Sequence, residues 1–208
     1  MFKYFSLLFF LTLIFLIPSF ALSSIPSQNG QKEKADTVIY VIDTINSNIN
    51  WSCDLHHGFI PLERGTLKVV NDSIVAGRIM IKMDSITDTD IDYELMRKTL
   101  LNTLRSKQFL NTEKYHYAIF TIDQVDYRND STLITGDLTF LGVTKCISFL
   151  SDFTVKGDSA FAETEKIVID RTDFGNNSMS KDDAKSDKSF IVPNEVMISV
   201  SLSAFKVH

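Results

Sequence analysis

Apolar and polar side chains alternate with a period of two residues along most of the chain beyond position 37. The clearest case is the last segment, NEVMISVSLSAF, where Ile198, Val200 and Leu202 share one parity and serine fills much of the other. The stretch LITGDLTFLGVTKCISFLSDFTV repeats the alternation on both sides of Gly142. Such alternation is typical of antiparallel strands that have one apolar face. The pattern therefore predicts an all-β fold of eight or nine strands, connected mostly by hairpins.

A single segment departs from the alternation. In residues 92–107, DYELMRKTLLNTLRSK, Leu95, Leu100 and Leu104 recur at helical spacing. Asp92 is suited to cap the N-terminus, and basic residues stand at the C-terminal end. The pattern predicts one amphipathic α-helix inserted in an otherwise β chain, placed as a plug or lid at one end of the sheet.

Residues 171–190 are predicted to be a long loop over one end of the sheet, because they are charged and rich in glycine, asparagine and serine. A loop of this length in a compact domain is either mobile or functional. Hairpins with one apolar parity close either as a sandwich or as a barrel. An eight-stranded barrel either encloses one ligand or is filled by its own side chains, and periodicity alone does not distinguish the two.

The first residues have the layout of a secretory signal. A positive charge at Lys3 precedes an apolar run, Tyr4 to Ile17, and small residues follow around Ala21. The run is shorter than the ~20 residues that a transmembrane helix needs. We therefore expect residues 1–23 to be a cleaved signal peptide, with an uncleaved membrane anchor as the alternative.

Residues 24–36 are polar and turn-rich, which predicts a flexible lead-in to a single domain over residues 37–208. The formal net charge of the chain is −5. A negative charge argues against nucleic acid as a partner and against electrostatic binding to anionic lipid headgroups. With the signal, these features predict a periplasmic or secreted protein that does not bind nucleic acid.

Cys53 and Cys146 are the two cysteines, and both fall in predicted strands. A disulfide persists in an oxidising compartment, whereas buried thiols pack as small apolar groups. Sequence does not place the two Cα atoms within reach of each other. A Cys53–Cys146 disulfide and two unpaired thiols therefore both stand as alternatives.

No motif for catalysis or cofactor binding is present: the sequence has no nucleophile elbow, phosphate loop or zinc-protease helix. His56 and His57 point to opposite faces if a strand continues through them. With His116 and His208 they form no ligand set of zinc spacing. Cys53 and His56 on one strand would be ~10 Å apart and on opposite faces. We therefore expect no enzyme, no cofactor and no metal site.

Five segments occur in an order that is similar to a known family. They are SNINWSCDLHHG (47–58), GTLKV (65–69), SKQFLNTEKYHYAIFTI (106–122), ITGDLTFLGVTK (134–145) and VIDRTDFG (168–175). The ordered set resembles the YceI-like family of exported proteins and extends from about Thr37 to Phe205. The most specific pair is GDLTFLGVTK followed by IDRTDFG.

The resemblance implies an eight-stranded antiparallel barrel of lipocalin-like type, with the helix of residues 92–107 inserted in it. Members of the family hold a long apolar chain, polyisoprenoid or fatty-acid-like, inside the barrel, and they are not known as catalysts. Aromatic and aliphatic side chains of inward parity would then line the ligand cavity. The expected lining residues are Trp51, Ile79, Ile81, Phe120, Phe140, Phe149, Phe153 and Val200.

Two polar residues are candidates for contact with a ligand head group. His57 would do so at the barrel mouth, and Arg171 would do so if its planar guanidinium, which binds two oxygens at once, points inward. A structural role is the alternative for each.

The leading functional prediction is transport, storage or sequestration of a long-chain lipid in the periplasm, with transient membrane contact. A barrel filled by its own side chains, serving as a structural or protein-partner module, is the first alternative. An enzyme that acts on a lipid, with His57 or Asp170 as base, is the second. The oligomeric state stays open, a homodimer included.

Overall fold

A computed structural model describes residues 36–128, 131–183 and 191–207. The predicted signal peptide, nearly all of the predicted lead-in and the end of the predicted 171–190 loop lie outside these residues. The strands are β1 Thr37–Ile42, β2 Asn48–Ser52, β3 His57–Val70, β4 Ser73–Lys82, β5 Tyr117–Tyr127, β6 Thr132–Phe140, β7 Val143–Lys156, β8 Ser159–Thr164, β9 Ile167–Asp170 and β10 Glu195–Lys206, and the helix is α1 Glu94–Arg105. Short 3₁₀ segments span Met83–Ser85 and Arg171–Phe174.

The strands form one antiparallel sheet that closes into a ring. The last strand, β10, closes it, because β10 pairs with β8 and β9 on one side and with β1 and β2 on the other. β1 and β2 lie end to end between β10 and β3, and β8 and β9 lie end to end along β10. Ten strands therefore fill eight positions around the ring. The predicted all-β, eight-stranded barrel with one inserted helix is confirmed.

Tight hairpin turns join β3 to β4 and β6 to β7. Asn71 and Asp72 join β3 to β4 with φ angles of 49° and 58°. Leu141 and Gly142 join β6 to β7 with φ angles of 51° and 78°. Two consecutive positive φ angles match the right-handed twist of the strands, and asparagine, aspartate and glycine adopt them readily.

One predicted strand is interrupted by a turn. The chain leaves β2 after Ser52 and enters β3 at His57, and the N–H of Cys53 donates to the carbonyl of His56 across the turn (2.9 Å). The strand does not continue through His56, so the condition under which the two histidines would point to opposite faces is not met. This turn changes the neighbours of both histidines.

The two cysteines are unpaired thiols, so the alternative of a Cys53–Cys146 disulfide is wrong. Cys53 packs against the apolar core and lines the barrel interior. Cys146 lies on the outward parity of β7 and is exposed. The barrel wall thus separates the two side chains.

The helix begins and ends two residues inside its predicted range of 92–107. Tyr93 occupies the N-cap without a side-chain hydrogen bond, so the prediction that Asp92 caps the helix is wrong. Leu104 packs against the core, whereas Leu95 is 64% exposed. In the described part of the chain, no helix is long and apolar enough to cross a membrane.

One end of the barrel carries most of the irregular structure. Strand pairing places residues 53–56, 83–116, 141–142, 171–183 and 191–194 at this end. We call this end of the barrel the cap end; it includes α1, which lies within residues 83–116. The opposite end has the short connections at 71–72 and 157–158, together with the end of β5 and the start of β6.

Candidate functional site

A cavity of about 250 Å³ lies inside the barrel. Strands β2 to β10 all contribute inward side chains to its wall. The alternative of a barrel filled completely by its own side chains is therefore wrong. Seven of the eight predicted lining residues are in the wall, and they are Trp51, Ile79, Ile81, Phe120, Phe140, Phe149 and Val200.

The eighth predicted lining residue, Phe153, has the inward parity but does not line the cavity. On β7 the wall consists of Ile147, Phe149 and Ser151. Phe153 lies one inward position further along the strand and packs against the core there. The alternation along β7 predicts the correct face of the strand for Phe153, but the cavity does not extend as far as this residue.

Aromatic rings form part of the wall in defined pairs. The centroids of Phe120 and Phe149 are 5.4 Å apart with a tilt of 46°. Phe140 meets Phe174 of the second 3₁₀ segment edge to face at 5.5 Å. Such tilted and edge-to-face contacts favour rigid ring positions. The wall is therefore an ordered apolar surface.

The hydroxyl groups in the wall are bonded to the barrel itself. The Ser151 hydroxyl donates to the carbonyl of Glu163 (3.0 Å). The Thr164 hydroxyl accepts from the N–H of Val200 (2.9 Å). Since these groups already have protein partners, they offer little to a polar ligand.

Arg171 is the one cation among the described residues of the wall, and its side chain is held by carbonyl groups. Nε donates to Pro193 O (2.9 Å), Nη2 to Val192 O (3.0 Å), and Nη1 to both O and Oδ1 of Asn176 (2.8 and 2.9 Å). The guanidinium is also 6.0 Å from the ring of Phe109. Burial lowers the pKa of Arg171, although the nearby Asp170 opposes that effect.

Through these hydrogen bonds Arg171 holds three segments of the cap end together. It joins its own 3₁₀ segment to residues 192–193, and Asn176 continues the network by donating from Nδ2 to Phe109 O (2.9 Å). Four of the five N–H donors of a guanidinium are accounted for by these bonds. The geometry therefore supports the structural alternative for Arg171.

The side chain of Asp170 is also hydrogen-bonded within its own segment of the chain. Its Oδ1 accepts from the N–H and the hydroxyl of Thr172 (2.8 and 2.6 Å), so it caps the second 3₁₀ segment. The Thr172 hydroxyl is the main reason that the pKa of Asp170 lies below its ordinary value. A carboxylate stabilised in this way is a weak base, which disfavours the catalytic role considered for Asp170.

The cap end is latched to the barrel beside the cavity. The indole N–H of Trp51 donates to Thr87 O (2.9 Å). The N–H of Thr87 donates to Phe59 O (2.9 Å), and the N–H of Thr89 donates to His57 O (3.0 Å). Residues 87–89 thus lie along the start of β3 like a short extra strand. Their neighbour Ile86 lines the cavity.

Gly58 permits this latch because it has no side chain. A Cβ atom at position 58 would lie 2.1 Å from Thr87 O, closer than any tolerated contact. Only glycine lets the two backbones approach this far.

The predicted head-group residue His57 lies at this latch and points to solvent, with 61% of its side chain exposed. Its Nδ1 is 3.6 Å from Asp90 Oδ1, and its backbone N–H donates to the same oxygen (2.7 Å). The neighbouring His56 approaches Asp90 more closely, with Nδ1 at 2.9 Å from Oδ2. The loop that precedes α1 therefore holds both histidines.

Asp88 completes this group from a buried position. Its Oδ2 lies 4.0 Å from His56 Nδ1, and its Oδ1 accepts from the N–H of Ile91 (3.0 Å). Burial, together with the Asp90 carboxylate, raises the pKa of Asp88. Burial alone would also raise the pKa of Asp90, but the N–H of His57 and the ring of His56 outweigh it, so that this pKa lies below its ordinary value.

Comparison with known proteins gives partial sequence matches and whole-domain structural matches. Protein YceI of Escherichia coli O157:H7 is 47% identical over 55 residues, which is 26% of this chain and 29% of that protein. The aligned part thus spans less than a third of the curated relative.

Solved structures match over most of the fold at low identity. BcnA of Burkholderia cenocepacia superimposes with a TM-score of 0.62 at 15% identity, covering 78% of this chain and 98% of that one. A polyisoprenoid binding domain from Saccharophagus degradans, implicated in plant cell wall breakdown, has a TM-score of 0.57 at 14% identity, covering 81% and 98%. At such identities the likeness shows the fold alone.

The sequence profile of the YceI-like domain matches residues 40–204, which include nearly every strand of the ring and the whole of α1. This match agrees with the ring closure and the interior cavity described above. The chain belongs to the YceI-like domain family.

Proposed function

We propose that this protein binds a long-chain apolar ligand, a polyisoprenoid or a fatty-acid-like lipid, inside its barrel. The observation that carries the proposal is the cavity of about 250 Å³, whose wall is apolar and whose hydroxyl groups are bonded to the protein. This volume lies just below the roughly 300–1,000 Å³ typical of ligand pockets, which suits one slender chain.

Burial of the chain supplies the affinity in this proposal. Each CH₂ group removed from water contributes ~0.8 kcal/mol. Several methylene groups therefore give useful affinity without a charged contact. The structurally similar domain from Saccharophagus degradans is a polyisoprenoid binding domain, which supports the same class of ligand.

In this proposal the apolar chain of the ligand lies in the cavity and its head group lies at the cap end. Arg171 serves mainly to fasten the cap, since its donors are taken up by carbonyls. His57 is the better candidate for head-group contact, because most of its side chain is exposed. Exchange of the ligand then requires the latch of residues 87–89 or the 171–183 segment to move.

The proposed role is carriage, storage or sequestration of the lipid in the periplasm or outside the cell, without catalysis. The signal-like pattern of residues 1–23 supports export. The family match to a binding fold supports a non-catalytic role. Transient membrane contact would load the barrel, and the exposed Leu95 and Met96 of α1 provide an apolar surface for it at the cap end.

Native mass spectrometry of protein purified from its own host without detergent tests the proposal. We expect a mass increment that organic extraction removes and that lipid analysis identifies as a long-chain compound. The extracted protein should then take up a fluorescent fatty acid in one equivalent. A protein that carries no lipid and takes up no probe, while its circular dichroism shows an intact barrel, would contradict the proposal.

A further inference from the structure

Outside the barrel interior, His56, Asp88 and Asp90 bring three ligand-type atoms together. His56 Nδ1 is 2.9 Å from Asp90 Oδ2 and 4.0 Å from Asp88 Oδ2. All three atoms lie within 4.8 Å of one another. His56 comes from the turn between β2 and β3, and the two aspartates come from the segment before α1.

Asp88 provides a second, independent observation that points to a ligand in this group. Its side chain is completely buried, and within the described residues its Oδ2 has no hydrogen-bond partner. A buried carboxylate oxygen without a partner is strongly disfavoured, because it has lost water and gained nothing in return. This oxygen points at the imidazole and the second carboxylate. A cation bound between the three side chains would give this oxygen a partner.

We propose that His56, Asp88 and Asp90 bind a divalent transition-metal ion, for which Zn²⁺ is the reference. Ligand atoms at ~2.1 Å from one tetrahedral ion are roughly 3.4 Å from each other. The observed separations of 2.9 and 4.0 Å lie on either side of that value. Small side-chain shifts would therefore equalise them around one ion.

The donor types select the class of ion. Imidazole nitrogen suits zinc, copper, nickel and iron, whereas calcium and magnesium prefer sites made of oxygen alone. Three protein ligands leave a fourth tetrahedral position for water. The exposed His57 lies next to the group, with its Nδ1 3.6 Å from Asp90 Oδ1.

The carboxylates are already oriented as metal ligands usually are. Asp88 Oδ1 accepts from the N–H of Ile91, and Asp90 Oδ1 accepts from the N–H of His57, which leaves Oδ2 of each directed at the group. Such outer contacts fix ligand orientation in metal sites. The ion would tie the β2–β3 turn to the segment that carries Ile86, a residue of the cavity wall. Metal binding would therefore stabilise the cap end.

The test uses the full chain, without an affinity tag, stripped of metal with chelator and kept reduced. Titration calorimetry with Zn²⁺ should show one equivalent bound, and Ca²⁺ and Mg²⁺ should give no heat. At hundredfold excess over the dissociation constant, Zn²⁺ should raise Tm by roughly 5–10 °C. Co²⁺ in place of Zn²⁺ should give the visible absorption of a low-coordinate cobalt site.

Asp88→Asn and His56→Gln each remove one ligand with little change in size. Each should weaken Zn²⁺ binding by more than the ~10- to 100-fold that loss of an outer-shell partner causes. Asp92→Asn and His116→Gln are matched controls at exposed positions and should bind as the wild type does. Cys146→Ser tests whether the exposed thiol contributes, and it should change nothing.

Circular dichroism of each variant shows whether the barrel is intact. Zn²⁺ binding that survives both ligand substitutions would place the ion elsewhere and overturn the proposal. Absence of a bound equivalent in the wild type would overturn it as well. In that case a proton shared between Asp88 and Asp90 accounts for the buried oxygen.

Discussion

Filling the cavity from its own wall should abolish ligand binding while preserving the barrel. Ala118 is suited to this test, because it is 3% exposed, lies on β5 opposite Ile81 and lines the cavity. The substitution Ala118→Phe replaces a methyl group by a benzyl group that points into the space of about 250 Å³. The new ring would take the place of part of the lipid chain.

The size of the effect follows from the methylene groups that the ring excludes. Each contributes ~0.8 kcal/mol, so exclusion of about four removes ~3 kcal/mol of binding free energy, or ~200-fold in affinity. The ring gains apolar contacts but strains its neighbours. The free energy of unfolding should therefore change by no more than about 2 kcal/mol in either direction.

Titration of delipidated protein with a fluorescent fatty acid measures the affinity, and urea unfolding measures the stability. Val168→Phe is the matched control, because Val168 lies on β9, is 56% exposed and points outward. It should bind the probe like the wild type. Equal affinity of Ala118→Phe and the wild type, with both folded, would refute the conclusion that the ligand occupies the cavity.

Three further predictions concern the cap end. Gly58→Ala should lower the free energy of unfolding by ~3 kcal/mol in urea unfolding, since the three latch hydrogen bonds made by the backbone groups of residues 87 and 89 are worth ~1 kcal/mol each; an unchanged midpoint would contradict the close backbone approach. Asp170→Ala should cost about 1 kcal/mol at neutral pH. Because the pKa of Asp170 is lowered in the folded state, this contribution exists above the unfolded pKa of ~3.9 and is lost as pH falls below it, so wild-type and variant stabilities should converge in acid; a constant difference down to acid pH would contradict this account. Replacing the exposed Leu95 and Met96 together by serine should reduce co-sedimentation with neutral vesicles several-fold without changing Tm; undiminished co-sedimentation would argue against α1 as the membrane contact.

The barrel and most of its wall could be predicted because the pleat of a strand obliges alternate side chains to share a face. Ile79, Phe149 and Val200 reach the cavity for that reason alone. Phe153 obeys the same rule yet lies beyond the cavity, since parity specifies a face and does not specify where the hollow ends.

Positions fixed by distant parts of the chain could not be predicted in this way. The wall residues Phe109 and Pro193 come from cap segments without any periodicity. The group of His56, Asp88 and Asp90 joins two loops through hydrogen bonds that span more than thirty residues, so local spacing did not reveal it. The helix start also differs from its prediction, because Tyr93 takes the N-cap instead of Asp92.

Closure of the ring by β10 means that the barrel is completed only at the end of synthesis. Because the chain is synthesised from its amino end, all other strands are made before β10, Glu195–Lys206, which pairs with both β1 and β8. Until then the sheet has two unprotected edges, which invite pairing with other chains. A stop codon or a protease cut upstream of residue 195 would therefore yield an open, aggregation-prone sheet with no enclosed interior.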